Sequence, residues 1–142
     1  MASVRETALT ALRDIIAAAL PFAAVVRSTA LPQEITDAGY VAVMDGDAGD
    51  PEVTLSPFTN HYTHLAEVGV VVTGIDLDIR LDSMLKDIGM AIAANTTLTG
   101  TVERATPTAP VFDALETENI GAKSALMRVE LEYSVDGNNP LN

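Results

Sequence analysis

The chain has 142 residues, 48% of them apolar, no cysteine and no tryptophan, and a formal charge of −12 with an isoelectric point near 4.2. That length suits one domain with its own aliphatic core. The lack of cysteine excludes disulfides, cysteine-based zinc sites and thiol nucleophiles, and the charge disfavours adhesion to nucleic acid or anionic membranes.

In chain order, Ser3 followed three residues later by Glu6 is a capping-box signal. It predicts a helix from about Val4 to Leu20. Val4, Ala8, Leu12, Ile15 and Ala19 form its apolar stripe, Leu9, Ile16 and Leu20 lie beside it, and Pro21 ends it. The longest apolar run, Ile15–Val26, is too short and too broken by Pro21 to span a bilayer. The opening residues read as a helix and not as a signal peptide, so the protein is expected to be cytosolic where it is made. Phe22–Arg27 reads as a short strand, 28–39 as a loop, and Tyr40–Met44 as a strand. The Asp- and Gly-rich run Asp45–Pro51 reads as a turn leading to a strand at Glu52–Leu55, so that Tyr40–Leu55 forms a hairpin.

The dominant element is Thr59–Gly74. Tyr62, His64, Ala66, Val68, Val70 and Val72 occupy one parity, and His61, Thr63, Glu67, Gly69 and Thr73 the other, with Leu65 and Val71 as apolar exceptions. Alternation of this kind predicts a long half-buried strand. After Gly74, Asp76 is a candidate cap for a helix over Ile79–Ala94 with a stripe of Leu81, Met84, Leu85, Ile88 and Ile92. Gly89 marks either a weak point in that helix or a close approach of another backbone. Thr101–Thr106 reads as a strand, Phe112–Ile120 is acidic and unassigned, and Lys123–Val135 alternates as cleanly as the long strand before it. The expected fold is α+β, in the order α-β-β-β-β-α-β-β. The two alternating strands sit at the centre of one mixed, mostly antiparallel sheet, and both helices pack on its apolar face. Residues 1–142 form one domain, with a turn-rich and loose tail at 136–142.

No motif carries chemistry. His61 and His64, the two histidines, point to opposite sides of a strand, which defeats a metal pair. The run Asp45, Asp47, Asp50 has the composition of a calcium loop without its spacing. Glu116 and Glu118 lie close in sequence but show no pocket, and the basic residues do not cluster. The residues therefore imply no enzyme, cofactor or metal. They favour a binding or assembly role, with a small enzyme acting on an acyl substrate, or a cytosolic binding module, as rivals.

The stretches VRETALTALRDII, VAVMDGDAGDPEVTLSP and HYTHLAEVGVVV resemble the tail terminator proteins (tail completion, or minor tail U-like, proteins) of long-tailed phages, prophages and gene transfer particles. The likeness runs from Val4 to about Val135 and is one of sequence style, not of a catalytic signature. It implies a structural virion protein, assembled in the host cytoplasm, that caps the head-proximal end of the tail tube. Such a protein usually forms a hexameric ring, stops tube polymerisation and presents the surface for the head-side connector, without a cofactor. Its partners are then other copies of itself, the tube protein and the connector, while DNA passes through the ring without specific binding and no membrane is involved. An acidic lumen would let phosphate slide past. Under this resemblance Asp45, Asp47, Asp50 and Glu52 are the candidate contact loop. Leu65, Val71 and Leu126 are the candidate apolar anchors between subunits. Another head–tail joining or tail protein is the nearest alternative.

Overall fold

A computed structural model describes residues 2–27, 39–112, 121–139 and 141. The elements are α1 (Val4–Ala19), β1 (Ala24–Arg27), β2 (Tyr40–Asp47), β3 (Glu52–Thr54), β4 (Thr59–Thr73), α2 (Leu77–Ala94), β5 (Arg104–Pro107), β6 (Val111–Phe112) and β7 (Ala122–Asp136). The expected α+β architecture is observed: two helices pack on a seven-stranded mixed sheet.

The two long alternating strands pair antiparallel along their whole length, from Thr59 opposite Asp136 to Thr73 opposite Ala122. This register puts Tyr62 beside Tyr133, Ala66 beside Val129, Val68 beside Met127 and Val70 beside Ala125. Their apolar parities merge into one surface, and that surface is the floor of the core. β2 and then β1 extend the sheet on one side, β1 running parallel to β2, and β5 lies on the other side against β7. α1 closes over the floor with Leu9, Leu12, Ile16 and Leu20, all fully buried. The buried stripe is thus rotated from the expected one: Leu9, Ile16 and Leu20, read as flanking it, are fully buried, while Val4, Ile15 and Ala19 sit at its margin. α2 contributes Leu81, Met84, Leu85, Ile88 and Ile92, which is the stripe read from the sequence. Each such aliphatic side chain contributes about 1.5–3 kcal/mol by leaving water.

Ser3 caps α1, its hydroxyl accepting the Glu6 N–H at 3.1 Å. The Glu6 carboxylate does not simply complete a local box, because it accepts two hydrogen bonds from Arg27 on β1. Asp76 stands at the N-cap of α2 in a left-handed conformation, and its side chain makes no capping bond. Gly89 carries no close backbone: a Cβ there would meet nothing within 4 Å. It is thus only a weak helix former, about 1 kcal/mol poorer than alanine.

The expected Tyr40–Leu55 hairpin does not form. β3 pairs with β4, with Glu52 opposite His61, so β2 and β3 are successive segments along the same edge of β4. The hairpin turn is at 55–58, with a cis Ser56–Pro57 bond. The Asp- and Gly-rich run is a bulge in the strand, where three steps on β2, Met44 to Asp47, span two on β4, Glu67 to Leu65. Gly46 makes this possible. Its φ is +63°, and its Cα lies against the Leu65 carbonyl. The short strand β6 falls at the start of a stretch left unassigned from sequence, and it pairs with β7 at Leu126 and Ala125. The tail expected at 136–142 is described only at 136–139 and 141. Gly137 N–H donates to the Phe58 carbonyl at 2.9 Å, and the Asp136 carboxylate accepts from Asn138 N–H. Residues 28–38 of the loop expected at 28–39, and the carboxylates Glu116 and Glu118, lie outside the described residues.

Candidate functional site

The helices cover one face of the sheet. The helix-free face carries the other parity of β4 and β7, namely His61, Thr63, Leu65 and Glu67 opposite Ser134, Glu132, Glu130 and Arg128. β3 adds Glu52 and Thr54, and β5 adds Arg104 and Thr106. Toward the hairpin, this face dips into an open polar recess of ≈ 580 Å3 bordered by Asp50, Glu52, His61, Glu103 and Glu132.

His61 ties three strands together at the floor of the recess. Its Nδ1 is 2.6 Å from Ser134 Oγ on β7, and its Nε2 is 2.8 Å from Thr54 Oγ1 on β3. Ser134 Oγ donates to Glu103 Oε1 at 2.9 Å. A carboxylate only accepts, so the serine proton is directed at Glu103. The imidazole Nδ1–H then donates to Ser134 Oγ, and the Thr54 hydroxyl donates to Nε2. This order differs from a nucleophile relay, in which the imidazole accepts the serine proton and the carboxylate orients the imidazole. Here the ring donates to the serine oxygen instead of accepting its proton. Among the described residues no group of three or more His, Asp or Glu side chains could hold a metal ion.

The acidic run divides between two roles. Asp45 is exposed, but its carboxylate pairs with Arg27 at 2.5 Å, and the same guanidinium holds Glu6 of α1 at 2.9 Å and the Val43 carbonyl at 2.7 Å. Burial acts against the Arg27 charge. The hydrogen bonds to Glu6 and Asp45 outweigh it and raise the pKa above the usual arginine value. The hydrogen bond from Arg27 in turn holds the Asp45 carboxyl below the ordinary carboxylate range. Asp47 accepts from Gly49 N–H at 2.8 Å, a local turn contact. Asp45 is therefore a structural clamp between β1, α1 and the bulge, and it is not a free loop charge. Asp50 and Glu52 do face solvent, at the rim of the recess.

Of the three candidate anchors, Leu65 and Leu126 are half-buried on the helix-free face. Val71 is fully buried and has no surface to offer, since it shares a second buried group with Tyr40 and Ser124 at the far end of that face. The apolar side chains that are exposed lie elsewhere. Val53, Leu55 and Phe58 lie at the hairpin, Ile75, Ile79, Val111 and Phe112 lie toward the opposite end of β4, and Phe22, Met90 and Leu141 are exposed as well. Sequence reading missed these, and it also missed Glu103 and Ser134 as partners of His61. Glu132 and Ser134 stood on the polar parity of their strand, but only the register brings them to His61.

The Arg27 clamp makes a measurable prediction. Arg27→Met should cost about 1–2 kcal/mol, at the low end for charge-assisted hydrogen bonds because both carboxylates face water. The Asp45 part has a defined pH signature. Its folded pKa is depressed, so its contribution is fully present above the unfolded value near 3.8 and is lost as pH falls through the lower, folded value. Urea unfolding below about pH 4 should therefore show a steeper loss of stability in the parent protein than in the variant.

Compared with models of known families and with curated proteins, the chain has no match.

Proposed function

We propose that this chain is a tail terminator, a subunit of a ring that caps a tail tube at its head-proximal end, stops its growth and receives the head-side connector. The observation that carries this reading is the placement of exposed apolar side chains at both ends of the fifteen-residue β4. The fifteen residues of β4 span ~50 Å, with Leu55 and Phe58 beyond one end and Ile75 beyond the other, while Val111 and Phe112 pair with β7 at Leu126 and Ala125, the residues opposite Gly69 and Val70. A molecule that joins two larger bodies needs a contact surface at each end. Leu55 at the hairpin tip is 77% exposed and Ile75 at the other end is 79% exposed. Between them the helix-free face bears Glu52, Glu67, Glu130 and Glu132 against Arg104 and Arg128, beside the half-buried Leu65 and Leu126, an acidic excess in keeping with a charge of −12 on a protein past which DNA must slide. The resemblance of the three sequence stretches supplies the particle type. The fold, two helices on one face of a mixed sheet, agrees with it.

The test is electron microscopy of particles assembled without the gene. Filled heads beside unattached tails, or tubes of uncontrolled length, support the reading. Tails of normal length that fail to join heads would move it to another head–tail joining protein, and complete particles would overturn it.

A second reading, a small enzyme acting on an acyl substrate, is favoured by one contact, Ser134 Oγ against His61 Nδ1. The serine proton runs to Glu103 and not to the ring, which weighs against it. Hydrolysis of an activated ester by the purified protein, abolished by Ser134→Ala, would revive it.

A further inference from the structure

Two short strands lie at opposite margins of the sheet, and the registers set them at one level. Among the described residues β1 pairs only with β2, and β6 only with β7. Followed across the sheet, Val25 stands beside Val41, Val70, Ala125 and Phe112 in turn, and Val26 beside Ala42, Gly69, Leu126 and Val111. The row β1-β2-β4-β7-β6 therefore ends on both sides in a strand with one paired edge. Ala24 N–H donates to the Gly39 carbonyl at 3.2 Å, so the N–H and C=O of the next residue, Val25, point away from β2.

An open edge is a template for another strand, and proteins guard such edges with charge, proline or a covering segment. The other described margins are guarded. On β5, the Ala105 N–H is taken by the Thr96 carbonyl of the turn after α2, at 2.6 Å. β3 begins with the charged Glu52. By contrast β1 holds no charge before Arg27, whose guanidinium is occupied by Glu6 and Asp45, and β6 is the apolar pair Val111–Phe112. Phe22, just ahead of β1, and both residues of β6 are exposed. Copies that each carry −12 repel one another, and contact through uncharged margins keeps that repulsion least.

We infer that β6 of one copy pairs with β1 of the next, so that the sheet runs on from subunit to subunit. The inference rests on the proposed function for one point, that copies of this chain meet in a ring. A ring needs two different surfaces joined head to tail, and these edges supply them. Strand direction agrees. β1, β2 and β7 run one way, and β4 and β6 the other. Rotation from one copy to the next keeps strand direction along the ring axis, so β6 meets β1 antiparallel, the pairing that is more stable per residue. Val25 and Phe112 share the helix-covered face of the sheet and Val26 and Val111 the other, so apolar side chains meet on both faces.

The chain has no cysteine, so an introduced thiol reports a single position. Ala24 and Val111 are exposed, lie on the two edges and share the helix-free face. Ala24→Cys and Val111→Cys proteins, mixed in concentrated solution and treated with a short bismaleimide, should give a covalent pair that joins position 24 to position 111 by mass spectrometry. Each variant alone should give little product, and a chain carrying both substitutions should give a ladder of covalent oligomers. Val25→Pro removes the outward N–H and leaves the bonds to β2 in place. Added to the Ala24→Cys chain, it should cut the cross-linking yield about tenfold, as the loss of an inter-chain backbone hydrogen bond implies. Like-to-like products from either single variant, no 24-to-111 product in concentrated solution or in purified particles, or a yield untouched by Val25→Pro overturns the edge pairing. The gene-deletion experiment is independent of this one. Edge cross-links together with complete deletion particles would keep the pairing and remove the tail terminator reading, whereas a deletion defect without edge cross-links would overturn the pairing alone.

Discussion

Gly46→Ala is expected to cost about 3–5 kcal/mol, a loss reserved for backbone collisions and severe core damage. Two effects combine. The φ of +63° disfavours any L-side chain, and an alanine Cβ would stand 1.9 Å from the Leu65 carbonyl oxygen and 2.9 Å from its carbon. No rotamer relieves a clash between a Cβ and backbone, so the bulge must leave its register on β4. For a domain of this length the melting temperature should fall by roughly 6–20 °C. Gly49→Ala is the control. Its φ is +67°, but nothing lies within 4 Å of the added Cβ, so only the conformational cost of about 1–2 kcal/mol remains. Thermal and urea unfolding of the two variants separate close approach from left-handed backbone. Equal losses would show that the bulge relaxes freely.

The second large effect concerns α2. Ile88→Ala should destabilise by about 2–5 kcal/mol, because this side chain is fully buried under the sheet and leaves a cavity. Ile79→Ala, same residue type and same helix, should change stability by less than about 0.5 kcal/mol, because Ile79 is 73% exposed. The pair distinguishes two uses of isoleucine on one helix. Under the proposed function Ile79 belongs to an end surface, so Ile79→Ala should reduce joining of heads to tails while leaving the purified protein equally stable. A thermally intact variant that assembles normally would remove Ile79 from that surface.

Much of this architecture was legible because it is written in local periodicity. The alternation in Thr59–Gly74 and Lys123–Val135 defined the two central strands within a residue or two, and the Leu81, Leu85, Ile88, Ile92 stripe defined the buried side of α2. Ser3 and Glu6 marked the start of α1. His64 stood on the apolar parity, and it is buried. In each case the decisive interaction is either within one turn or a single choice between inside and outside.

Pairing was a different kind of question. The Asp- and Gly-rich run has the composition of a tight turn, and Asp47 does make a turn contact with Gly49, yet the chain continues along β4 and turns at 55–58 instead. Composition cannot choose between a turn and a bulge, because both need left-handed residues. The choice follows from whether an adjacent long strand offers free edge groups, and β4 does. The same limit hid Val71, whose polar-parity position implied exposure until Tyr40 and Ser124 were brought beside it. It also hid the recess, in which His61 meets a serine 73 residues away and a glutamate that precedes β5. The amino-acid sequence by itself determined the class of fold, the two central strands and the buried face of α2, since burial periodicity is a local property. Only the tertiary structure decided which strand β3 joins, which acidic residues are clamped and which face water, and what the two histidines touch, since these depend on register between segments far apart in the chain.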